Sequence, residues 1–333
     1  MSTLLLTRSD IASVIEAEAL LAALRNAFIA CSARSEQAMR IPVPLPADEE
    51  ARGASGMILA PGLIPGVPAY SVKVHAKFPG QSPAIRGLLI LHDVRTGEVL
   101  AVLESSYLTA WRTGLLAALA ADVLAKPDAR SVSVLGAGAQ GRSVLAALRL
   151  VRPLESVCLY DTSGPAARAF AADASCRGLR VTIAKSVDEA AAAAGIVVMA
   201  TWASEPFLLR RHLTPGMHVI TLGADQPGKC EVSADALSAA VVVVDDRDLA
   251  LDMGAPGNAG LGPESIHAEL GEVLSGAKQG RTSDAEVTIF AGAGLAFQDL
   301  AAGWLVYRRA RERGLGRVID FLEEAAGVSG ASG

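Results

Sequence analysis

Ser131-Val-Ser-Val-Leu-Gly-Ala-Gly-Ala-Gln-Gly-Arg-Ser-Val-Leu145 decides the architecture of this chain. Its first five residues read as a strand, and glycines at 136, 138 and 141 carry that strand into a helical pattern over 139–150. In such a turn Gly136 permits the tight bend, Gly138 lets the backbone approach a pyrophosphate, and Gly141 allows the helix to pack closely on the strand. The helix N-terminus, which includes Ala139 and Gln140, would present unbonded N–H groups and a partial positive charge to phosphates. The next strand, 156–160, leads to Asp161, 25 residues after Gly136. A carboxylate there accepts both ribose hydroxyls of NAD and repels a 2′-phosphate. The expectation is a dinucleotide site for NAD, with NADP as the alternative nucleotide.

Strands and helices continue to alternate around this segment. An alanine-rich helix over 114–126 stops at Pro127, because proline cannot continue it. Further on come helix 164–174, strand 181–184, helix 187–193, strands 196–200 and 218–222, a short helix near 233–238 and strand 241–244. Most of these strands are continuous apolar runs, as a parallel sheet covered on both faces requires. The expected class is therefore α/β, with a doubly wound parallel sheet of the Rossmann type.

The chain ends read differently. Asp10 can cap a helix whose apolar positions Ile11, Val14, Ile15, Leu20, Leu21, Leu24 and Phe28 recur near helical spacing. Prolines 42, 44 and 46 break that pattern, and 68–76 and 87–104 carry strand patterns joined by a Pro/Gly/Ser-rich loop at 79–83. The last forty residues hold a helix over 297–313 and a tail rich in Gly, Ala and Ser.

At 333 residues the chain exceeds the usual size of one core, so two domains are expected. A content of 51% hydrophobic and 20% charged residues excludes intrinsic disorder. The net charge of −5, without a basic block, argues against a nucleic-acid partner. No apolar run approaches the roughly 18–20 residues that span a bilayer, and the leucines at 4–6 are too few for a signal-peptide core. Cys31, Cys158, Cys176 and Cys230 lack the spacing of a disulfide framework or zinc site. The expectation is a soluble, cytoplasmic protein without a metal.

Three further clusters carry polar groups: Leu108-Thr-Ala-Trp-Arg-Thr113 just before the alanine-rich helix, Leu222-Gly-Ala-Asp225-Gln-Pro-Gly-Lys229 after a sheet strand, and Thr288–Asp299 around another glycine-rich turn. Ligands bind at the C-terminal edge of a doubly wound sheet, which would set Asp225 beside a nicotinamide. Each also has a plainer reading. Lys73 and Arg40 taken singly read as solvated charges, and Asp225 before Pro227-Gly228 as a turn residue. His75 and His92 read as packed or surface groups. Asp245, Asp246, Asp248 and Asp252 read as a solvated loop and helix start, since they lack a calcium-loop spacing. Cys230 beside Lys229 could have a depressed pKa, with nothing further to support reactivity.

Taken together, TAWRT, GAGAQG, GADQPGK and the Phe290–Asp299 segment resemble the ornithine cyclodeaminase/mu-crystallin family, which includes archaeal-type alanine dehydrogenases and ketimine reductases. The resemblance implies a Rossmann domain (119–299) inserted into a substrate-binding and dimerisation domain (1–118 plus 300–333), in a homodimer. It implies that Arg40, Lys73 and Arg112 hold a substrate carboxylate and that Asp225 is the acid/base group. It further implies cofactor contacts at Arg112, Thr113, Gly136, Gly138, Ala139, Gln140, Gly141, Asp161, Thr201, Leu222, Gly223, Lys229 and Gly292, with Ala293 beside the substrate. Charge-assisted bonds to a carboxylate, each worth about 1.5–3 kcal/mol, suit the clamp roles.

One departure bears on the reaction. Bacterial cyclodeaminases of the family carry a glutamate where this chain has Ile58, so a carboxylate proposed to manage a diamino substrate is absent. Gly292 and Ala293 also replace a serine and a larger residue of the family beside the nicotinamide, which implies a pocket of different size. The implied activity is NAD(P)-dependent hydride transfer at the α-carbon of a small imino or amino acid, with reduction of a cyclic ketimine fitting Ile58 best. An ornithine cyclodeaminase that recycles NAD is the alternative, and a nucleotide-binding protein without turnover a third.

Overall fold

Residues 2–32, 40–43, 56–78, 81–321 and 323 are described by the structure, a computed structural model. Pro44, Pro46, residues 79–80 of the expected loop, and the tail from 324 lie outside the described residues.

Two sheets organise these residues. The first follows the order β15-β1-β6-β5-β4-β3-β2. Its strands are β1 Ser2–Leu6, β2 Ile41–Val43, β3 Gly56–Leu63, β4 Ala69–Lys77, β5 Ile85–Asp93, β6 Val99–Glu104 and β15 Arg317–Asp320. Pairing is antiparallel except between β1 and β6. The second follows the order β13-β12-β14-β11-β10-β7-β8-β9, with every neighbouring pair parallel. It comprises β7 Ser131–Leu135, β8 Ser156–Tyr160, β9 Arg180–Ile183, β10 Ile196–Met199, β11 His218–Thr221, β12 Val241–Val244, β13 Ala268–Glu269 and β14 Thr288–Ala291. Strands β10, β11 and β14 are buried at every residue, which explains their unbroken apolar character. The expected doubly wound sheet is present.

Helices α1 Arg8–Val14, α2 Ala17–Cys31, α3 Ser105–Leu124 and α4 Ala139–Val151 come first in the chain. They are followed by α5 Gly164–Ala171, α6 Val187–Ala192, α7 Ala234–Ser238, α8 Arg247–Asp252, α9 Ala255–Asn258, α10 Leu270–Ser275 and α11 Ala296–Glu312. Among the described residues, no helix is long and apolar enough to cross a membrane.

Three expectations need correction. The first helix is two, α1 and α2, interrupted at Ile15 and Glu16. Its cap is Thr7, whose hydroxyl accepts from the Asp10 N–H while the Asp10 carboxylate accepts from the Thr7 N–H; Asp10 is thus the inner partner of a capping box. The alanine-rich helix starts at Ser105, not 114, because the Glu104 carboxylate caps Ser106 and Tyr107. Gly114 reads as a helix start but lies mid-helix, since α3 crosses α4 so closely there that a Cβ would stand 2.6 Å from the Ser143 carbonyl. Leu108–Thr113 is consequently inside α3. Finally, the tail is not wholly irregular: β15 pairs antiparallel with β1.

The first sheet is two-faced. Along β4, Ala69, Ser71, Lys73, His75 and Lys77 are buried, while Tyr70, Val72, Val74 and Ala76 point the other way. Helix α11 covers β3, β4 and β5. On the opposite face Leu63, Val74 and Leu88 remain 45%, 38% and 48% exposed, and the strand registers place them on one surface.

Candidate active site

A cleft opens between the buried face of β3 and β4 and the C-terminal ends of β11 and β14. Alternation along β4 brings Lys73, His75 and Lys77 to its wall, and α3 adds Thr109, Arg112 and Thr113. The loops after β11 and β14 contribute Leu222, Asp225, Gly292, Ala293 and Gly294. Arg40 closes one side, with Nη1 donating to the Ala293 carbonyl oxygen, and Gln140 of α4 reaches the cleft from another.

Two carboxylates hold the cations. Lys73 Nζ donates to Asp299 Oδ1 at 2.9 Å and to Thr109 Oγ1 at 2.8 Å. Arg112 Nε donates to the same Asp299 oxygen at 3.2 Å, and its Nη1 to Gln298 Oε1 at 3.0 Å. In the second cluster Lys77 Nζ donates to Asp225 Oδ2 at 2.6 Å and to Gln226 Oε1 at 3.0 Å. Lys229 Nζ reaches Asp225 Oδ1 at 3.0 Å, and Arg40 Nη2 stands 3.6 Å from Oδ2.

These contacts shift the acidities. Burial pulls the Lys73 ammonium down to about 8 despite Asp299, and Lys77 to about 8 despite Asp225. Burial alone would raise Asp225, but Lys77, Lys229 and Arg40 hold it well below the ordinary carboxylate range. Asp299 is likewise lowered, as Arg112 and Lys73 outweigh its burial. Burial, with Lys73 and Arg40 nearby, depresses the His75 imidazole to about 3, so it is neutral. On the cleft wall the buried His75 Nδ1 has no partner among the described residues, which suits a site that receives a polar ligand.

The dinucleotide elements stand beside this cleft. Gly136 has φ +108, and a Cβ on it would meet the Ala200 carbonyl at 2.4 Å; one on Gly141 would meet the Gly136 carbonyl at 2.3 Å. Nothing lies within 4 Å of a Cβ on Gly138, and α4 begins there without a side-chain cap. A phosphate therefore has open space and free N–H groups at the start of α4. Asp161 accepts from Ala137 N and Ser163 N, both at 2.7 Å, and each oxygen keeps a lone pair for a ribose hydroxyl. This loop fits a dinucleotide.

Of the residues singled out in sequence, Arg40, Lys73, Arg112, Thr113, Gln140, Leu222, Asp225, Gly292 and Ala293 share the cleft. Gly136, Gly138, Ala139, Gly141 and Asp161 form the adjoining loop, while Thr201 and Gly223 belong to a brace. The fully buried Glu231 carboxylate accepts from Thr201 N, Thr201 Oγ1, Thr221 Oγ1 and Gly223 N at 2.7–2.9 Å, tying together the ends of β10 and β11. Sequence reading passed over Glu231 and Lys77, and placed Thr109 and Asp299 only within motifs. A signal existed for Lys77: it stands four residues after Lys73, on the same face of a mostly apolar strand.

Two readings change. Asp245 is not part of a solvated loop; it is buried and accepts from Ala293 N at 3.1 Å and Gly294 N at 2.6 Å, fixing the turn after β14. Cys230 is not an activated thiol, since burial pushes its pKa up.

Comparison with known proteins agrees with this geometry. The structure matches that of an archaeal alanine dehydrogenase dimer with bound NAD, with a TM-score of 0.89 and 30% identity, covering 97% of this chain and 100% of that one. It matches Thermococcus litoralis Delta(1)-pyrroline-2-carboxylate reductase in complex with NADH and L-proline at 0.88 and 28% identity, covering 95% and 99%. A Delta(1)-pyrroline-2-carboxylate reductase of Bacillus cereus is 36% identical over 275 residues, 79% of this chain and 84% of that protein. The model of the ornithine cyclodeaminase/mu-crystallin family matches residues 1–314. The chain belongs to the ornithine cyclodeaminase/mu-crystallin family.

Proposed function

We propose that the protein is an NAD-dependent oxidoreductase that reduces the C=N bond of a small α-imino acid to the corresponding amino acid. The observation that carries this reading is the convergence of Lys73, Arg112 and Arg40 with Asp225 on one cleft next to the glycine-rich loop. The start of α4 and Asp161 would hold the dinucleotide, which as NADH would supply the hydride.

The chain's own residues do the rest. Lys73, Arg112 and Arg40 bind the α-carboxylate, an anion that their excess positive charge favours. Asp225, kept ionised by its cations, faces the substrate nitrogen and stabilises it in its protonated form, which makes the adjacent carbon a better hydride acceptor. Reduction then adds one hydride to carbon and consumes one proton at nitrogen. Leu222, Gly292 and Ala293 line this end with apolar surface, which limits water. Ile58 is buried on the Lys73 face of β3 and offers no carboxylate to a substrate δ-ammonium, so reduction is favoured over cyclisation of ornithine.

The test is a pair of assays on purified protein. NADH absorbance should fall with pyrroline- or piperideine-2-carboxylate, whereas ornithine with NAD should release neither ammonia nor proline. Proline and ammonia formed without net change in cofactor would identify a cyclodeaminase instead. Nucleotide preference should follow Asp161: in Asp161→Ser the discrimination against NADPH falls by about tenfold or more, read as the ratio of kcat/KM values. An unchanged ratio would remove Asp161 from the nucleotide site.

The proposal includes a two-domain division at 118/119 and 299/300, with α3 and α11 as the seams, and a homodimer. The apolar outer face of the first sheet, with exposed Leu63, Val74 and Leu88, is a surface to be buried by a second copy. Val74→Asp combined with Leu88→Asp should halve the mass measured by light scattering; retention of the wild-type mass would exclude this face. A reducing, cytoplasmic setting agrees with the buried thiols of Cys158, Cys176 and Cys230.

A further inference from the structure

The charge around the cleft is unbalanced. Lys73 and Arg112 share Asp299, while Arg40, Lys77 and Lys229 share Asp225. Among the described residues five cations thus face two carboxylates, and the neutral His75 adds nothing. One α-carboxylate cancels one of the three surplus charges. The phosphates of a dinucleotide belong at the start of α4, near Arg112 and Thr113 where α3 crosses that helix, not at Lys77.

Lys77 is the cation least accounted for. It is 1% exposed, and stripping an ammonium of water is costly unless its protons are used. Two of its three N–H donors go to Asp225 and Gln226; the third has no acceptor among the described residues. Lys77 is not the sole counter-charge of Asp225, because Lys229 bonds the other oxygen and Arg40 stands nearby. The opposite strand leaves the cations uncontested: Gly56, Ile58 and Ala60 pair with Lys77, His75 and Lys73. A carboxylate at position 58 would give this wall a negative patch suited to a substrate ammonium. Among the described residues this wall has only cations, and none of them fills the space at Gly56 beside Lys77, where a Cβ would meet Gln226 Oε1 at 3.5 Å.

We propose that Lys77 binds a second acidic group, carried on the side chain of the substrate, so that the site prefers an imino dicarboxylate over an imino monocarboxylate. This rests on the reading of the protein as an imino acid reductase. The α-carboxylate takes the Lys73–Arg112 end, the nitrogen faces Asp225, and the distal carboxylate takes the free donor of Lys77.

The experiment follows NADH oxidation by the full-length protein with imines formed from oxaloacetate and ammonia, from pyruvate and ammonia, and with pyrroline-2-carboxylate. The dicarboxylate should have a kcat/KM higher by about 10- to 100-fold, the range of one charge-assisted bond. Lys77→Met should abolish that preference and Lys77→Arg retain most of it; the ratio between substrates cancels any effect of Lys77 common to both. Independently of turnover, succinate should raise the melting temperature of the wild type more than butyrate does, and the difference should vanish in Lys77→Met. If Lys77→Met fails to fold, the wild-type ratio and the succinate shift still decide. Turnover of monocarboxylates with no preference for the dicarboxylate, or a preference unchanged in Lys77→Met, overturns the assignment of Lys77 alone. No turnover of either class by protein that binds NADH overturns the reductase reading together with it.

Discussion

Asp225→Asn is expected to lower kcat by about 10²- to 10³-fold, the usual worth of one preorganised electrostatic contact at a reacting group, without raising KM. The direction for KM comes from the charges. Asp225 offsets Lys77, Lys229 and Arg40, so its removal increases the positive potential felt by an incoming carboxylate and tightens ground-state binding. What is lost, in the proposed reaction, is the anion that keeps the substrate nitrogen protonated, and with it the fraction of bound imine able to accept hydride. A fall in kcat with an equal or lower KM therefore separates this role from mere binding. Steady-state kinetics, with an NADH fluorescence titration to show an intact cofactor site, would make the distinction. A kcat within about tenfold of wild type would exclude Asp225 from the reaction.

The largest effect on stability is expected for Asp299→Asn. Lys73 and Arg112 both lean on this carboxylate, and both are buried. Removing one partner of a buried ion pair costs about 3–5 kcal/mol, because the remaining charge is left without compensation. The melting temperature should fall by on the order of 10 °C. Added carboxylate ligands should restore part of the loss by occupying the same cations. The pH dependence has a defined sign. The folded-state pKa of Asp299 is lowered, so its contribution is present above the ordinary carboxylate range and lost as pH falls through the folded-state value. In the variant that part of the acid destabilisation should be missing. A melting temperature within about 2 °C of wild type would show that Lys73 and Arg112 do not need Asp299.

The second half of the fold was legible because its signals are local. A parallel sheet covered on both sides demands uninterrupted apolar strands, and Val241–Val244 or Ile196–Met199 could be little else. The glycine loop reads equally well, since Gly136, Gly138 and Gly141 answer to backbone geometry within six residues. Boundaries in the first half were less clear. Gly114 reads as a helix start, yet it is retained inside α3 by the close approach of α4. The pairing of β15 with β1 joins residues at opposite ends of the chain, and no periodicity announces such a contact.

The sequence by itself determined the Rossmann sheet, the dinucleotide loop and the kinds of residue that can grip a carboxylate. Only the tertiary structure decided which charges share a carboxylate. Lys73 meets Asp299 across 226 residues, and Lys77 meets Asp225 across 148. A lysine on a strand reads as solvated until its neighbours are known, because burial and pairing are properties of the packed fold. The same holds for Glu231, whose four donors come from Thr201, Thr221 and Gly223, and for Asp245, which an acidic run disguises as surface. Backbone preferences act over a few residues and leave a trace in local pattern. Electrostatic partnership acts through space, so it emerges only when distant segments are brought to one cleft.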